Sequence, residues 1–180
     1  NKKIFIFVFP LVKPYDDYDM EMGYVDGFSP YQHTIHIYIS PDHFKIDGLK
    51  RTLAHEYNHS IFFEHHKNEL TLLETIIFEG LATNFELTVC SEPAPYALAL
   101  NESRAIEIFK SLSLRNLEST KYHLYSKLFF GSKKYKKWTG YSIGYWLIKR
   151  FKADCPKLSW KNLFEMRIPE IVEKSRYLKK

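Results

Sequence analysis

The sequence predicts an α+β fold: a small, mostly antiparallel sheet packed on one long helix, followed by a helical C-terminal half. Three observations carry this. Strand-like runs rich in β-branched and aromatic residues are confined to the first forty positions. The segment Leu49–Phe63 switches to helical spacing, with Leu49, Leu53, Tyr57, Ile61 and Phe62 forming its apolar stripe. Beyond it come further helix-patterned segments and no second set of strands. At 180 residues, with 45% hydrophobic and 17% aromatic content, the chain suits one folded domain spanning 1–180. Its sheet-containing part is expected over about 1–66 and its helical part over about 67–180.

Taken in order, Ile4–Phe9 is a continuous apolar run closed by Pro10, read as a buried strand. Pro14–Asp19 is acidic and turn-like, and Met20–Ser29, with Gly23, Asp26 and Gly27, reads as a short strand or loop with turns. Thr34–Ser40 alternates cleanly, placing Ile35, Ile37 and Ile39 on one face, and Pro41-Asp42 ends it. Asp47 is the expected N-cap of the first long helix. A second helix is expected over Thr71–Val89, then helices over Ala97–Leu114 and Leu117–Phe130, and one starting near Tyr141. Phe151–Lys180 reads as a short helical end broken at Pro156 and Pro169.

The chemistry concentrates in His55-Glu56-Tyr57-Asn58-His59, an H-E-x-x-H run. On a helix, residues four apart share a face, so both imidazoles point toward one place. A Zn²⁺ ion there would lie about 2.0–2.1 Å from each ring nitrogen. Glu56, about 100° around the helix from His55, can reach a water on that ion rather than the ion itself. A third ligand is needed, and Glu79, within Phe78-Glu79-Gly80-Leu81-Ala82, is the leading candidate. Glu74 lies roughly 140° off the face of Glu79, and Glu86 shares that face about 10 Å further along. Glu86 is therefore a candidate to hydrogen-bond the far nitrogen of a ligand histidine. Gly80 is expected to let the two helices approach closely, which would justify its cost of about 1 kcal/mol inside a helix. His65 and His66 fall in a polar stretch near the helix end and read as a solvated linker.

The H-E-x-x-H run, followed nineteen residues after His59 by a glutamate in an E-G-x-A context, resembles the gluzincin metallopeptidases. The wider wording, His55 to Ser60 and then Leu73-Glu-Thr-Ile-Ile-Phe-Glu79-Gly-Leu-Ala82, is similar to the YjaZ-like family of predicted zinc-dependent proteases. The likeness spans roughly residues 33–151. It implies a zincin-like fold and a zinc peptidase in which His55, His59 and Glu79 hold the ion and Glu56 is the general base. It also implies a strand beside the first helix that borders the cleft, either Gly27–Tyr31 or Thr34–Ser40, on whose edge a substrate peptide would pair. A Y-x-x-G pattern at the late helix start, Tyr141 to Gly144, is similar to the place where gluzincin aminopeptidases carry an oxyanion-stabilising tyrosine; Tyr145, one turn on, is the alternative. The family's acidic residue four after the ligand glutamate is replaced here by Thr83.

Composition sets the remaining expectations. The net charge of +5 is local, concentrated in Lys133–Lys137 and Lys174–Lys180, which read as solvated runs. No nucleic-acid-binding signature accompanies them, so no nucleic-acid partner is expected; the peptide or protein substrate is what the resemblance implies. The two cysteines, Cys90 and Cys155, form no C-x-x-C pair and are expected to be reduced thiols. The apolar run after Lys2-Lys3 is too short for a signal peptide, has no small-residue cleavage site, and falls well below the ~20 residues of a spanning helix. A cytoplasmic protein is expected, with a processed or exported form as the alternative because the chain begins at Asn1. Two rivals to an enzyme are a catalytically silent zinc-binding regulatory protein and a non-metal helical binding module.

Overall fold

The computed structural model describes residues 3–12, 20–66 and 69–175. The expected turn at Pro14–Asp19 and most of the basic tail lie outside them. Among the described residues, three strands form one sheet in the order β1-β3-β2: β1 Phe5–Pro10, β2 Val25–Phe28 and β3 Thr34–Ile39. β2 and β3 pair antiparallel, from Val25 opposite Ile39 to Phe28 opposite His36. β1 pairs parallel with β3, from Phe5 opposite Thr34 to Pro10 opposite Ile39. The sheet is mixed, with its longer pairing parallel, and not mostly antiparallel as the sequence suggested.

The first long helix, α1 (Ile46–Phe62), packs beneath β2 and β3, where Val25, Ile35 and Ile37 meet Leu49 and Leu53. β1 projects beyond this support. All six of its residues are exposed, Phe5 at 59% and Val8 at 60%, which overturns the expectation of a buried strand. Its apolar run reflects the other face of the sheet, where Phe7 and Phe9 sit against His36, and Phe9 stacks on Tyr38 at 5.3 Å. Continuous hydrophobicity reports strand propensity here, not burial.

The start of α1 is capped by no side chain: Lys45 holds the N-cap position and Asp47 lies within the first turn. The next helix, α2 (Leu72–Phe85), opens on a capping box. Thr71 Oγ1 accepts from the Glu74 amide and Glu74 Oε2 accepts from the Thr71 amide, which commits Glu74 to the helix terminus. Every residue from Ile76 to Asn84 is buried, so α2 is the central rod of the molecule, and a 3₁₀ turn over Glu86–Thr88 extends it.

Downstream, α3 (Glu102–Ser111) starts five residues later than expected, at an Asn101 cap. Residues 91–101 instead form a loop whose Ala94, Tyr96 and Ala97 are buried. Then follow α4 (Leu114–Leu117), α5 (Tyr122–Phe129) and α6 (Thr139–Asp154). In α7 (Trp160–Glu165) and α8 (Ile168–Lys174) the chain runs on, and Pro169 sits in the first turn of α8 rather than breaking the segment.

α2 and α6 cross at two glycines. A Cβ on Gly80 would stand 2.4 Å from the Gly144 carbonyl oxygen, and one on Gly144 would stand 2.3 Å from the Ile76 oxygen. Gly80 therefore serves the α2–α6 crossing, not the α1–α2 contact predicted from the sequence. Asn84 fastens it, its Nδ2 donating to the Gly80 oxygen at 2.8 Å and the Tyr145 oxygen at 3.0 Å. The main core, including Phe109, Phe129, Leu147 and Phe151, gathers around these two helices.

Candidate metal centre

The buried face of α1 is largely polar. Thr52, His55, Glu56, Asn58, His59 and Ser60 are buried, while Tyr57, expected on the apolar stripe, is 38% exposed and stacks on Phe85. The apolar spacing finds the helix, but the residues it turns inward are those of the H-E-x-x-H run. Burying so many polar groups costs stability unless they are partnered. α2 and its extension supply partners to His55 and His59, while Thr52 Oγ1, the Asn58 side-chain amide, His59 Nδ1 and Glu56 Oε2 have none among the described residues.

His55 Nε2 lies 3.2 Å from Glu79 Oε2, and His59 Nε2 lies 3.5 Å from the same oxygen. One ligand atom from each of the three residues falls within 4.8 Å of the others, so together they could hold a metal ion. Two imidazoles and one carboxylate are a donor set that zinc accepts, and three protein ligands leave a fourth position for solvent. Phe78 lies flat against the His59 ring at 3.8 Å and fixes its plane.

The far nitrogen of His55 is also engaged. Its Nδ1 is 2.7 Å from Glu86 Oε1 and donates to it, which leaves Nε2 as the nitrogen facing Glu79 and available to a metal. Glu86 is fully buried and also accepts from Arg51 Nη1 at 3.3 Å and from the Tyr96 hydroxyl. The expected partner of a ligand histidine is thus in place. Arg51 and Tyr96 were missed: Arg51 could have been found one turn before His55, but Tyr96 sits in a loop with no periodic signal.

The electrostatics follow from this geometry. Burial pulls the His55 imidazole down, yet hydrogen bonds to Glu79 and Glu86 outweigh it and hold the ring well above its ordinary value. Burial pushes the Glu79 carboxyl up, but the neighbouring His59 and His55 bring it down to about 2. The Tyr96 phenol is raised by burial and by the Glu86 charge.

Glu56 is 6% exposed, and its Oε2 has no hydrogen-bond partner. A Cβ at Gly27 would stand 2.6 Å from Glu56 Cγ and 3.1 Å from Oε1. Only a glycine lets β2 run this close over the carboxylate. Ser29 Oγ ties the same loop to the Glu56 carbonyl at 2.8 Å. Two cavities, of about 470 and 420 Å³, flank this point and share Gly27, His55, Glu56 and Tyr141 as lining.

Tyr141 thus lines the cleft, its ring 5.1 Å from that of Tyr96 and 5.0 Å from Phe129. Tyr145 is 1% exposed in a satellite core with Ala94, Tyr96 and Trp138, and its hydroxyl accepts from Lys149. Tyr125, also missed, hydrogen-bonds Tyr141; burial and then the Glu79 charge raise its phenol above the ordinary value. His65 is exposed and His66 stacks on Phe62 at 3.8 Å, so neither reaches the ligand cluster. Cys90 and Cys155 are free thiols. Among the described residues, no helix is long and apolar enough to cross a membrane.

A family model described as a predicted Zn-dependent protease (DUF2268) matches residues 1–173. Neither the curated proteins nor the solved structures contain a match to the chain.

Proposed function

The chain belongs to this family of predicted Zn-dependent proteases, and from that premise we propose that it is a gluzincin-type zinc peptidase, zincin-like in architecture, whose single domain spans 1–180. One observation carries the reading: His55 Nε2, His59 Nε2 and Glu79 Oε2 converge on one point beside an unpartnered Glu56 carboxylate oxygen. His55, His59 and Glu79 would hold the ion. A bound Zn²⁺ supplies a Lewis acid that lowers the pKa of water in its open position toward about 7.

The chain's own residues do the rest. Glu56 takes a proton from the attacking water and delivers it to the leaving amine, so one carboxylate serves as base and then as acid. The Tyr141 hydroxyl donates to the developing oxyanion. Glu86, held by Arg51 and Tyr96, keeps His55 in the tautomer that leaves Nε2 free to ligate. β3 is the central strand, so Thr34–Ser40 cannot offer an edge. β2 lies at the sheet edge with Gly27 over Glu56, and a substrate peptide would add along it by main-chain hydrogen bonds.

Elemental analysis of purified protein tests this directly. One zinc per chain is expected in the wild type and none in His59→Ala. Stoichiometric zinc without cleavage of any peptide pool would instead indicate a silent zinc-binding protein.

A further inference from the structure

The two halves of the cleft differ in chemistry. On the β2 side, the cavity of about 470 Å³ includes Asp26 and Lys137 in its lining. On the His59 and Glu79 side, the wall of the second cavity is mainly Phe63, Leu70, Phe78, Tyr122 and Tyr125, with the hydroxyl residues Thr75 and Thr120 among them. Among the described residues lining that cavity, charge appears only at His55, Glu56, His59 and Glu79, the end nearest the ligand cluster. No lysine or arginine is among them. Phe63 and Phe78 pack 5.4 Å apart and Phe78 is itself held against His59, so the wall is fixed by the same contacts that fix the ligand.

Resting on the peptidase reading, we infer that this cavity is a specificity pocket selecting a large apolar side chain, aromatic or long aliphatic, on the residue beside the cleaved bond. Its volume, about 420 Å³, falls within the size range of ligand pockets. Gly27, Glu56 and Tyr141 line it together with the aromatic wall, so a side chain held against that wall would keep its own backbone near the reacting position. A charged side chain would have no counter-ion at the aromatic wall and would surrender its hydration there. A small side chain would leave the wall unfilled and forgo its dispersion contacts.

The test uses zinc-loaded protein and peptides identical except for Phe, Leu, Ala, Asp or Lys at each position flanking the cleaved bond. Phe or Leu is expected to exceed Ala at one of these positions by roughly 10–200-fold in kcat/KM, with Asp and Lys lower still. Leu70→Trp, which fills the pocket, is expected to shrink the Phe-over-Ala ratio at least tenfold. Tyr122→Ala, at a residue 71% exposed on the rim, is expected to shrink it several-fold without changing the melting temperature. Binding of the same peptides to zinc-loaded Glu56→Gln, read by calorimetry, reports the pocket independently of turnover. A Phe preference in binding without hydrolysis by the wild type keeps the pocket and removes the peptidase reading. Hydrolysis with equal rates for Phe, Ala and Asp at every position, or ratios untouched by Leu70→Trp, overturns the pocket and leaves the peptidase reading standing.

Discussion

Glu86 accepts the Nδ1 hydrogen of His55 at 2.7 Å, while the opposite nitrogen of the same ring faces Glu79 at 3.2 Å. One imidazole therefore links the carboxylate that orients it to the carboxylate that shares its ligand duty. These two glutamates are seven residues apart, one in α2 and one in the 3₁₀ turn that extends it.

Replacing Glu86 by Gln removes the charge that fixes the His55 tautomer and that Arg51 and Tyr96 also donate to. Zinc affinity is expected to fall about 10–100-fold, measured by competition with a chromogenic chelator. Wild-type affinity in this variant would show that Glu86 serves packing alone.

Glu56→Gln keeps the shape of the side chain and removes its basicity. Zinc content should be unchanged, and kcat for peptide hydrolysis should drop about 10²–10⁴-fold. Full turnover would assign the base elsewhere.

Tyr141→Phe deletes one hydroxyl at the cleft. A fall in kcat of roughly 10²–10³-fold with KM little changed is expected if it stabilises the oxyanion. Tyr145→Phe serves as comparison, because that residue is buried away from both cavities and its loss should leave kcat near wild type. The reverse ranking would exchange the two roles.

Gly144→Ala places a methyl group where 2.3 Å separates it from the Ile76 oxygen. The contact is with backbone, so no rotamer change relieves it. A loss of about 1–3 kcal/mol in unfolding free energy is expected from urea titration. Unchanged stability would mean that the two helices can part without cost.

Much of this arrangement is legible in the residues themselves. The H-E-x-x-H spacing places His55 and His59 on one helical face, and the E-G-x-A context singles out Glu79 from its rivals. The structure gives each rival a separate duty: Glu74 caps α2, and Glu86 holds His55. Other features escaped for identifiable reasons. β1 is apolar enough to look buried, but α1 is too narrow to support a third strand, and only topology reveals that. The apolar stripe of α1 misassigned Tyr57, because a buried site draws polar residues inward against the usual pattern. Tyr96 comes from a loop packed across 41 residues of sequence separation from His55, a distance no local period can bridge. Gly80 announces a close approach without naming its partner, and the partner proved to be Gly144.

The backbone-to-backbone crossing at those glycines has a mechanical outcome. Glu79 precedes Gly80 and Tyr141 lies three residues before Gly144, so carboxylate and phenol are locked into one stiff piece with no slack between its two rods. The imidazoles and Glu56 ride on the other piece, with the sheet. Phe62 already joins the two pieces, its ring 4.9 Å from Phe78, so an ion gripping both imidazoles and the carboxylate would act as a second clasp at the cleft itself.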